Sequence, residues 1–475
     1  MRINPLRFLL GLLVATTLVA VATTALRSRP STPRNVVLIL IDTLRADHLG
    51  AYGYERPTSP FIDQLAAKSI LFENAVSAAS ATFPSVNSLL TSQPPSVFYS
   101  TNAADLGIPE EMTTLAEVFA ANGFRTGAVS ASPLVRRSPS KWNPLGGFGQ
   151  GFERFDESCY GVSAGSRAVP PYTSMCVAKR ARRMLESFDG SPFFLYIHYL
   201  DPHDPYQPPA SFDRFNEPYK VKPFIAWGMT YPIIRWLYEH QSDPQLDSAD
   251  IQYLMGLYDG EILGVDTSLR WLFKGFAKAG RLDDTLFVLL SDHGESFMEH
   301  NHIQHGHSLY QTELHIPLIF HWSQGWHNGL RRHDLVCTID VMPTILELMH
   351  LPVPKDARGM ALFNASTAEH ACLSEGREDW HAGCGNLVSL RLGSDKIIYD
   401  RESESYEAYD VAADPQEMRN IAPRGGAIAS ARLTELRRVL DLWAHAPVGQ
   451  PAQGRRHVIL SPDAERALRT LGYIE

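Results

Sequence analysis

Short apolar runs alternate with segments of helical periodicity along the first three quarters of the chain. Runs that are apolar throughout are typical of strands buried on both faces of a sheet. The predicted strands are Asn35–Ile41, Phe124–Val129, Pro192–His198, Thr285–Ser291 and Ile316–Phe320. The predicted helices are Ser59–Ser69, Thr113–Asn122, Ile251–Phe276 and Pro343–Met349. This alternation predicts an α/β fold, in which a large mixed, mostly parallel sheet is sandwiched by helices.

The pattern changes near residues 351–354, beyond which short strands follow one another without long helices. The later predicted elements are strands Val388–Leu392, Lys396–Tyr399 and Tyr406–Asp410, and a final helix Ile428–Ala444. They predict a smaller C-terminal α+β subdomain with a small antiparallel sheet. We therefore predict a leader at residues 1–34, a catalytic α/β domain at 35–350 and a C-terminal subdomain at 351–475. Residues 212–246 carry aromatic residues and prolines in no regular pattern, and are interpreted as an inserted lid or hydrophobic patch.

The N-terminus has the pattern of an export signal. Arg2 and Arg7 precede an apolar run from Phe8 to Leu26, which ends in small residues. This is typical of a secretory signal peptide or an N-terminal membrane anchor. The run is near the roughly 20 residues that span a bilayer, so its length does not separate the two. Either interpretation exports the rest of the chain to the periplasm or another extracytoplasmic space, with membrane contact if the leader stays uncleaved.

Charge and cysteine content bear on the binding partners of the protein and on the compartment in which it resides. The formal net charge is −9 at pH 7, so the chain has no basic footprint for nucleic acid. The five cysteines fit an exported protein. Cys159 with Cys176, and Cys372 with Cys384, bracket two loops and are predicted to form local disulfides. Cys337 lies in an apolar stretch and is predicted to be a buried free thiol.

Two predicted strands end in carboxylates. Asp42 follows the first strand, and Asp292 with His293 follows the strand Thr285–Ser291. Ligands bind at the carboxyl ends of strands in open α/β sheets, so these side chains are expected to share one metal site. Carboxylate and imidazole groups are ligands for divalent cations. Asp42 alone is weak evidence, because a carboxylate at a strand end often caps a helix.

A hydroxyl-rich segment, residues 80–85, precedes residues 86–91, which are predicted to be helical. A hydroxyl at the start of a helix lies near unpaired backbone N–H groups and the positive end of the helix dipole. That position suits a nucleophile that attacks an anionic ester. Thr82 is therefore a candidate nucleophile, and the alternative is that it only caps the helix.

Taken in order, these segments resemble the sulfatase-like branch of the alkaline phosphatase superfamily over nearly the whole mature chain. The matching segments are Val37–Gly50, Phe72–Ala75, His198–Tyr206, Tyr258–Ile262, Ser291–Glu295, Tyr409–Asp410 and Asp414–Asn420. The resemblance implies that Asp42, Asp292 and His293 bind one divalent cation, which could be calcium, zinc or manganese. It also implies that Thr82 is the nucleophile and contacts the same metal.

The chain departs from true sulfatases, which carry Cys-x-Pro-Ser-Arg with the cysteine converted to formylglycine. The corresponding segment, residues 82–86, is Thr-Phe-Pro-Ser-Val. Thr43 stands where a second aspartate is usual, and the lysine and histidine that grip sulfate are not evident in residues 130–132. A threonine nucleophile resembles phosphoethanolamine and phosphoglycerol transferases, so phosphate esters or phosphodiesters are favoured. Arg45 and Asp47 are expected to brace the loop after Asp42.

Several histidines gain candidate roles from the resemblance. His203 lies in a proline-bounded loop and matches a position that contacts substrate. His305 and His307 lie where relatives place the residue that protonates the leaving group. Imidazole suits that task near neutral pH, and one of the two is predicted to perform it. His198, on a strand, is interpreted as a core residue.

The predicted function is a metal-dependent hydrolase or transferase of sulfate or phosphate esters outside the cytoplasm. Its substrate would be a small anionic ester, a lipid headgroup or a glycan. The alternative is a catalytically inactive family member that acts as a binding protein, which the missing arginine, lysine and second aspartate would fit. The complete set of Asp42, Thr82, Asp292 and His293 opposes that alternative. A two-metal site that recruits additional histidines is the alternative to a single metal.

Overall fold

The computed structural model describes most of the chain that follows the predicted leader. The described residues are 32–98, 107–139, 144–159, 172–216, 246–325, 329–363, 370–376, 387–422, 431–444, 448–449 and 457–458. The predicted leader lies outside them up to Ser31, and so does the predicted lid over residues 217–245. Among the helices of the described ranges, none combines the length and the apolar character needed to cross a membrane.

The elements follow the predicted alternation closely. The strands are β1 (Asn35–Ile41), β2 (Ile70–Val76), β3 (Arg125–Ser130), β4 (Arg154–Asp156), β5 (Phe193–Tyr199), β6 (Thr285–Ser291), β7 (Ser296–Phe297), β8 (Ile303–Gln304), β9 (His315–His321), β10 (Leu330–Cys337), β11 (Ala371–Glu375), β12 (Leu387–Leu392), β13 (Asp395–Asp400), β14 (Ser405–Asp410), β15 (Val448–Gly449) and β16 (His457–Val458). The helices are α1 (Pro60–Ala66), α2 (Thr82–Thr91), α3 (Leu115–Ala121), α4 (Ser174–Glu186), α5 (Ser248–Lys278), α6 (Gln311–Leu314), α7 (Val341–Leu348) and α8 (Ala431–Ala444).

Within the described residues, eight strands form the main sheet, in the order β10-β2-β9-β6-β1-β5-β3-β4. Neighbouring strands pair in parallel, except that β9 runs antiparallel to both β2 and β6. β1 lies between β5 and β6, and all its residues are buried. The prediction of a mixed, mostly parallel sheet is confirmed, and the continuous apolar runs reflect burial on both faces.

Helices cover both faces of this sheet. Val37 and Ile39 of β1 belong to one apolar cluster with residues of α1, α4 and α5. Val36 and Leu38 point to the opposite face and pack with residues of α2, α3 and α7. Because successive strand residues face opposite sides, each strand contributes to both clusters. Polar side chains follow directly after the carboxyl ends of the central strands β1 and β6.

A second sheet of four antiparallel strands follows, in the order β11-β12-β13-β14. Leu436 and Leu440 of α8 pack with Leu390 and Ile397 of this sheet. The predicted small antiparallel sheet and final helix are therefore confirmed. The same apolar cluster includes Leu314 and other residues from the first part of the chain, so the second sheet packs directly against the first.

The disulfide pattern corrects the prediction in part. Cys159 and Cys176 form a disulfide, as predicted. The second disulfide joins Cys337 to Cys372, so the predicted free thiol at Cys337 and the predicted Cys372–Cys384 pair are both wrong. Cys337 ends β10 and Cys372 lies in β11, and the contact between these strands brings their Cα atoms to 5.5 Å, within the range that a disulfide spans. Cys384 lies outside the described residues.

Candidate metal centre and nucleophile

Asp42 and Asp292 lie side by side because β1 and β6 are adjacent parallel strands in register. Ile41 pairs with Ser291, and each carboxylate follows directly. Ligand atoms of Asp42, Asp292 and His293 all lie within 4.8 Å of one another, and the three side chains are almost fully buried. The structure therefore brings together the three residues that the sequence nominated as metal ligands.

Hydrogen bonds fix the two loops that carry these residues. Ser291 Oγ lies 2.7 Å from the carbonyl oxygens of both Ile41 and His293, and it accepts a hydrogen bond from the Leu44 N–H. The Thr43 N–H donates to Asp292 Oδ1 at 3.2 Å. Thr43 has a φ of +55°, which is strained for a β-branched residue. Strain of this kind is concentrated at functional sites, where the surrounding structure enforces it.

Thr82 is the first residue of α2, and its hydroxyl faces the carboxylate pair. Thr82 Oγ1 lies 3.5 Å from Asp42 Oδ1 and 3.2 Å from His293 Nε2. His293 Nδ1 donates to the Gly294 carbonyl at 2.9 Å, which leaves the Nε2 lone pair directed at this space. A hydroxyl, two carboxylates and an imidazole nitrogen thus converge at one point.

The electrostatics of the cluster fit a cation. Burial and the charge of Asp42 raise the pKa of Asp292 above its usual value. Burial alone would also raise the pKa of Asp42, but the hydrogen bond from His198 and the charge of His203 lower it. Asp292 Oδ2 is buried and hydrogen-bonds to none of the described residues. An unpaired buried carboxylate oxygen is costly, and a divalent cation at this point would provide its partner.

His198 was interpreted from the sequence as a core residue, and the structure places it against Asp42. His198 Nε2 lies 3.2 Å from Asp42 Oδ2, and Tyr196 Oη lies 3.0 Å from His198 Nδ1. The Tyr196 hydroxyl can donate to Nδ1, and Nε2–H can then donate to the carboxylate. Both side chains are fully buried. The spacing of two residues places Tyr196 and His198 on one face of a strand, but the contact of His198 with Asp42 depends on the pairing of β5 with β1.

Of the three histidines with predicted catalytic roles, His305 lies next to His293, and His203 lies next to His305. The ring centroid of His305 lies 4.5 Å from that of His293 and 4.9 Å from that of His203. Burial alone would lower the pKa of His203, but Asp204 and Asp42 raise it above its usual value. Burial lowers the pKa of His305 well below its usual value, and the charges of His293 and His203 add to this.

His307 is buried two residues further along the same loop. Its N–H donates to Glu313 Oε2 at 3.2 Å, and its ring centroid lies 6.4 Å from that of His302. Of the two candidates for protonating the leaving group, His305 is therefore the one whose ring lies beside that of His293. This geometry separates two residues that the sequence left equivalent.

The surroundings of the loop after Asp42 agree with the expected bracing role. Arg45 pairs with Asp47 at 2.8 Å and with Glu299 at 2.8 Å. The Tyr258 hydroxyl donates to the Thr43 carbonyl at 2.7 Å and accepts from the Arg45 N–H at 3.0 Å. These contacts hold the loop between two other parts of the chain. The Tyr258 segment thus contacts the backbone of the loop that follows Asp42.

The departures from the sulfatase pattern have local structural roles. Val86 is fully buried in the apolar core of its face of the sheet. Ser130 Oγ accepts from the Ser132 N–H, and Ser132 Oγ accepts from the Leu134 N–H. Val86 thus contributes to the core, and the serines of residues 130–132 stabilise a turn.

Comparison with known proteins agrees with this architecture. The Sulfatase family model matches residues 34–351. The multifunctional alkaline phosphatase superfamily protein PehA of Trinickia caryophylli is 25% identical, over 88% of this chain and 99% of PehA. Human iduronate 2-sulfatase is 26% identical, over 73% of this chain and 74% of that protein.

A similar solved structure is the phosphonate monoester hydrolase of Agrobacterium radiobacter. It has a TM-score of 0.67 at 19% identity and covers 90% of this chain and 100% of the hydrolase. At this identity the likeness is one of fold. Because the family model spans more than half of the chain, the protein belongs to the sulfatase family of the alkaline phosphatase superfamily.

Proposed function

We propose that this member of the sulfatase family is a metal-dependent hydrolase or transferase of phosphate esters or phosphodiesters, with Thr82 as its nucleophile. The observation that carries the proposal is the position of the Thr82 hydroxyl. It lies at the first position of α2, between Asp42 Oδ1 and His293 Nε2. A side chain in that place can reach an anionic ester held at the same carboxylate and imidazole groups.

Asp42, Asp292 and His293 would hold one divalent cation, calcium, zinc or manganese. When bound, the cation supplies positive charge that stabilises both the Thr82 oxygen and the oxygens of the ester. The N-terminal end of α2 adds to the positive potential at Thr82. A cluster built only from these residues does not require a second metal, so we propose a single one.

Thr82 Oγ1 passes its proton to Asp42 Oδ1, which lies 3.5 Å away, and forms a bond to phosphorus while the bond from phosphorus to the leaving oxygen breaks. His305 gives a proton to that oxygen, and His203, whose pKa is raised, binds the anionic substrate. Water then cleaves the phosphothreonine in a hydrolase, whereas an acceptor alcohol would do so in a transferase, and Thr82 Oγ1 regains its proton from Asp42. Two displacements of this kind replace one difficult step by two easier ones.

Sulfate esters are the second candidate substrates, because relatives such as human iduronate 2-sulfatase are named for them. The residue at position 82 argues against them. A sulfated formylglycine hydrate keeps a second hydroxyl through which it can eliminate sulfate, whereas a threonine sulfate ester has none. The threonine therefore favours phosphoryl over sulfuryl transfer.

The location that we propose is outside the cytoplasm. The leader composition supports export, and two disulfides fit an oxidising compartment. A small anionic ester, a lipid headgroup or a glycan could be met there. Anchoring through an uncleaved leader belongs to the same proposal.

A substrate panel tests the function. The full-length, metal-loaded protein is assayed with 4-nitrophenyl sulfate, 4-nitrophenyl phosphate, bis(4-nitrophenyl) phosphate and 4-nitrophenyl phenylphosphonate. We expect kcat/KM for the best phosphorus ester to exceed that for the sulfate ester by more than about tenfold, equivalent to about 1.4 kcal/mol. A sulfate ester as the best substrate would contradict the proposal. Bound metal without turnover of any ester would favour the inactive alternative.

A further inference from the structure

Glu295 is a buried carboxylate that the proposed reaction does not yet use. It follows His293 and Gly294, and its side chain is fully buried. Its Oε1 lies 3.0 Å from Nδ1 of His305. Its backbone is fixed at both ends, because its N–H donates to the Thr312 carbonyl and its carbonyl accepts from Arg45 Nη1. The carboxylate is therefore held rigidly against one nitrogen of the His305 ring.

The loop that carries His305 passes alongside the segment that leads to Thr82. A Cβ atom placed on Gly306 would lie 3.9 Å from both the Ser80 carbonyl oxygen and the Ala81 Cβ. Gly306 has a φ of +81°, a conformation that glycine adopts without strain. The turn at Gly306 thus brings the His305 ring next to the nucleophile segment and to His293.

The backbone of this loop is held by a different carboxylate. Glu313 Oε2 accepts hydrogen bonds from the N–H groups of Gly306, His307 and Ser308, and Glu313 Oε1 accepts from Ser308 Oγ. Glu313 therefore maintains the loop, whereas Glu295 contacts the imidazole itself. The two buried glutamates have separable tasks.

We propose that Glu295 is a positioning residue that acts through His305: it binds Nδ1, so that Nε2 is the ring nitrogen presented to the leaving group. This inference rests on the proposed function, in which His305 protonates that group. A carboxylate that orients an imidazole in this way is a recurring arrangement in general acid–base catalysis. Because poor leaving groups depend most on protonation by His305, we expect Glu295 to matter most for the turnover of esters with such leaving groups.

The proton balance of the pair is simple. In the donating form the pair carries two protons, one between Glu295 Oε1 and His305 Nδ1 and one on Nε2. The Nε2 proton passes to the leaving oxygen as its bond to phosphorus breaks. One proton then remains on Nδ1, held by the Glu295 carboxylate, and the pair regains the second proton from the water that cleaves the phosphothreonine.

The test compares two esters of phenylphosphonic acid that differ only in their leaving groups, 4-nitrophenol and phenol. Phenolate is the poorer leaving group and depends more on protonation. In Glu295→Leu we expect the ratio of kcat/KM for the phenyl ester to that for the nitrophenyl ester to fall about 10²-fold, the scale of a general acid's contribution. Glu295→Gln retains an oxygen that can accept from Nδ1–H, and we expect it to recover most of the ratio.

A double-mutant cycle shows whether Glu295 acts through His305. We expect His305→Ala to lower the ratio to a similar extent, and Glu295→Leu to add little in the His305→Ala background. Additive effects would overturn the inference. Glu313→Gln is the matched control, because it loosens the same loop without removing the carboxylate from Nδ1. It should reduce turnover of both esters equally.

Thr82→Ala separates this inference from the function on which it rests. Loss of turnover of both esters is what the proposed function requires. If Thr82→Ala stays active, the nucleophile assignment fails, while the leaving-group ratio still reports on Glu295. If the wild type cleaves neither ester, the ring ¹⁵N shifts of His305 provide the readout. At alkaline pH we expect the remaining proton on Nδ1 in the wild type and on Nε2 in Glu295→Leu; an identical spectrum in both would overturn the inference.

Discussion

Thr82 occupies the first helical position of α2, and Ala81 occupies the N-cap position without a capping side chain. The Thr82 hydroxyl is therefore available to Asp42 and His293 rather than committed to the helix. The sequence does not distinguish these two roles, because a shift of one residue in the start of the helix decides between them. The predicted helix began four residues later than α2 does.

Replacement of Thr82 tests its role at the residue scale. Thr82→Ala should abolish turnover of the best ester, because the attacking oxygen is gone. Its free energy of unfolding should change by less than about 1 kcal/mol, the typical loss for a helix cap, since the hydroxyl does not cap α2. Thr82→Ser keeps the oxygen and should retain part of the activity. Kinetics and urea unfolding of both variants measure this, and full activity in Thr82→Ala would exclude Thr82 as nucleophile.

His198 shows where reasoning from sequence stops. Asp42, Asp292 and His293 were recognised from short stretches of sequence, by their residue types and their positions at strand ends. The structure brings those three together. His198 contacts Asp42 only because β5 pairs with β1. That neighbour relation is set by the order of strands in the sheet, which no short pattern encodes. Glu295 was likewise visible only as part of a motif, without its partner His305.

Metal affinity is the property that His198 should affect. His198→Leu would remove the hydrogen bond to Asp42 Oδ2 and leave that oxygen free to turn away from the cluster. Replacing a residue that orients a metal ligand typically weakens binding 10–100-fold, and we expect a loss of about this size. Calorimetric titration of the metal-free protein measures it, with Tyr196→Phe expected to lose less. Equal affinity in His198→Leu and the wild type would show that Asp42 needs no such support.

At the scale of elements, the predictions succeeded where burial is uniform. Central strands such as β1 and β6 are apolar throughout and were predicted to within a residue. The strand β10 was missed because it is an edge strand and half of its residues are exposed. Edge strands carry charged residues, and this removes the apolar run. Helix α4 was also missed, although Val177, Ala178 and Leu185 form its buried face.

Because strand β10 was not predicted, the disulfide that Cys337 forms at its end was not predicted either. The Cys337–Cys372 bond closes a segment of 35 residues and should stabilise the fold by about 4 kcal/mol in the chain-entropy model. A Cys337→Ser/Cys372→Ser double variant should unfold at correspondingly lower urea concentration. Alkylation of the denatured, unreduced wild type followed by peptide mapping should label Cys384. Label on Cys337 or Cys372 would contradict this pairing.

At the scale of the whole molecule, the second sheet supports the nucleophile segment. The Ser374 hydroxyl donates to the Ser77 carbonyl at 2.6 Å, and the Glu375 N–H donates to the Ala78 carbonyl at 2.9 Å. Ser77 Oγ in turn contacts the Asp292 carbonyl. The prediction of a C-terminal subdomain gave its elements, but not this contact, which joins residues 297 positions apart.

Metal binding should stabilise the whole fold, because the cluster joins loops that follow β1 and β6. At a free metal concentration of 1,000 times Kd, binding to the native state alone contributes about 4 kcal/mol. We expect the thermal midpoint to rise when zinc, calcium or manganese is added to chelator-treated protein. The Asp292→Asn variant should show a much smaller rise. A midpoint independent of all three metals would contradict the proposed centre.

Trapping the covalent intermediate on Thr82 tests most directly whether this residue is the nucleophile. The metal-loaded protein is mixed with the best phosphorus ester, quenched in acid during turnover, digested and analysed by tandem mass spectrometry. We expect a phosphoryl or phosphonyl group on Thr82 in the wild type and none in Thr82→Ala. A group on another residue, turnover without any adduct in a series of quench times, or sulfate on Thr82 from a better sulfate ester would contradict it.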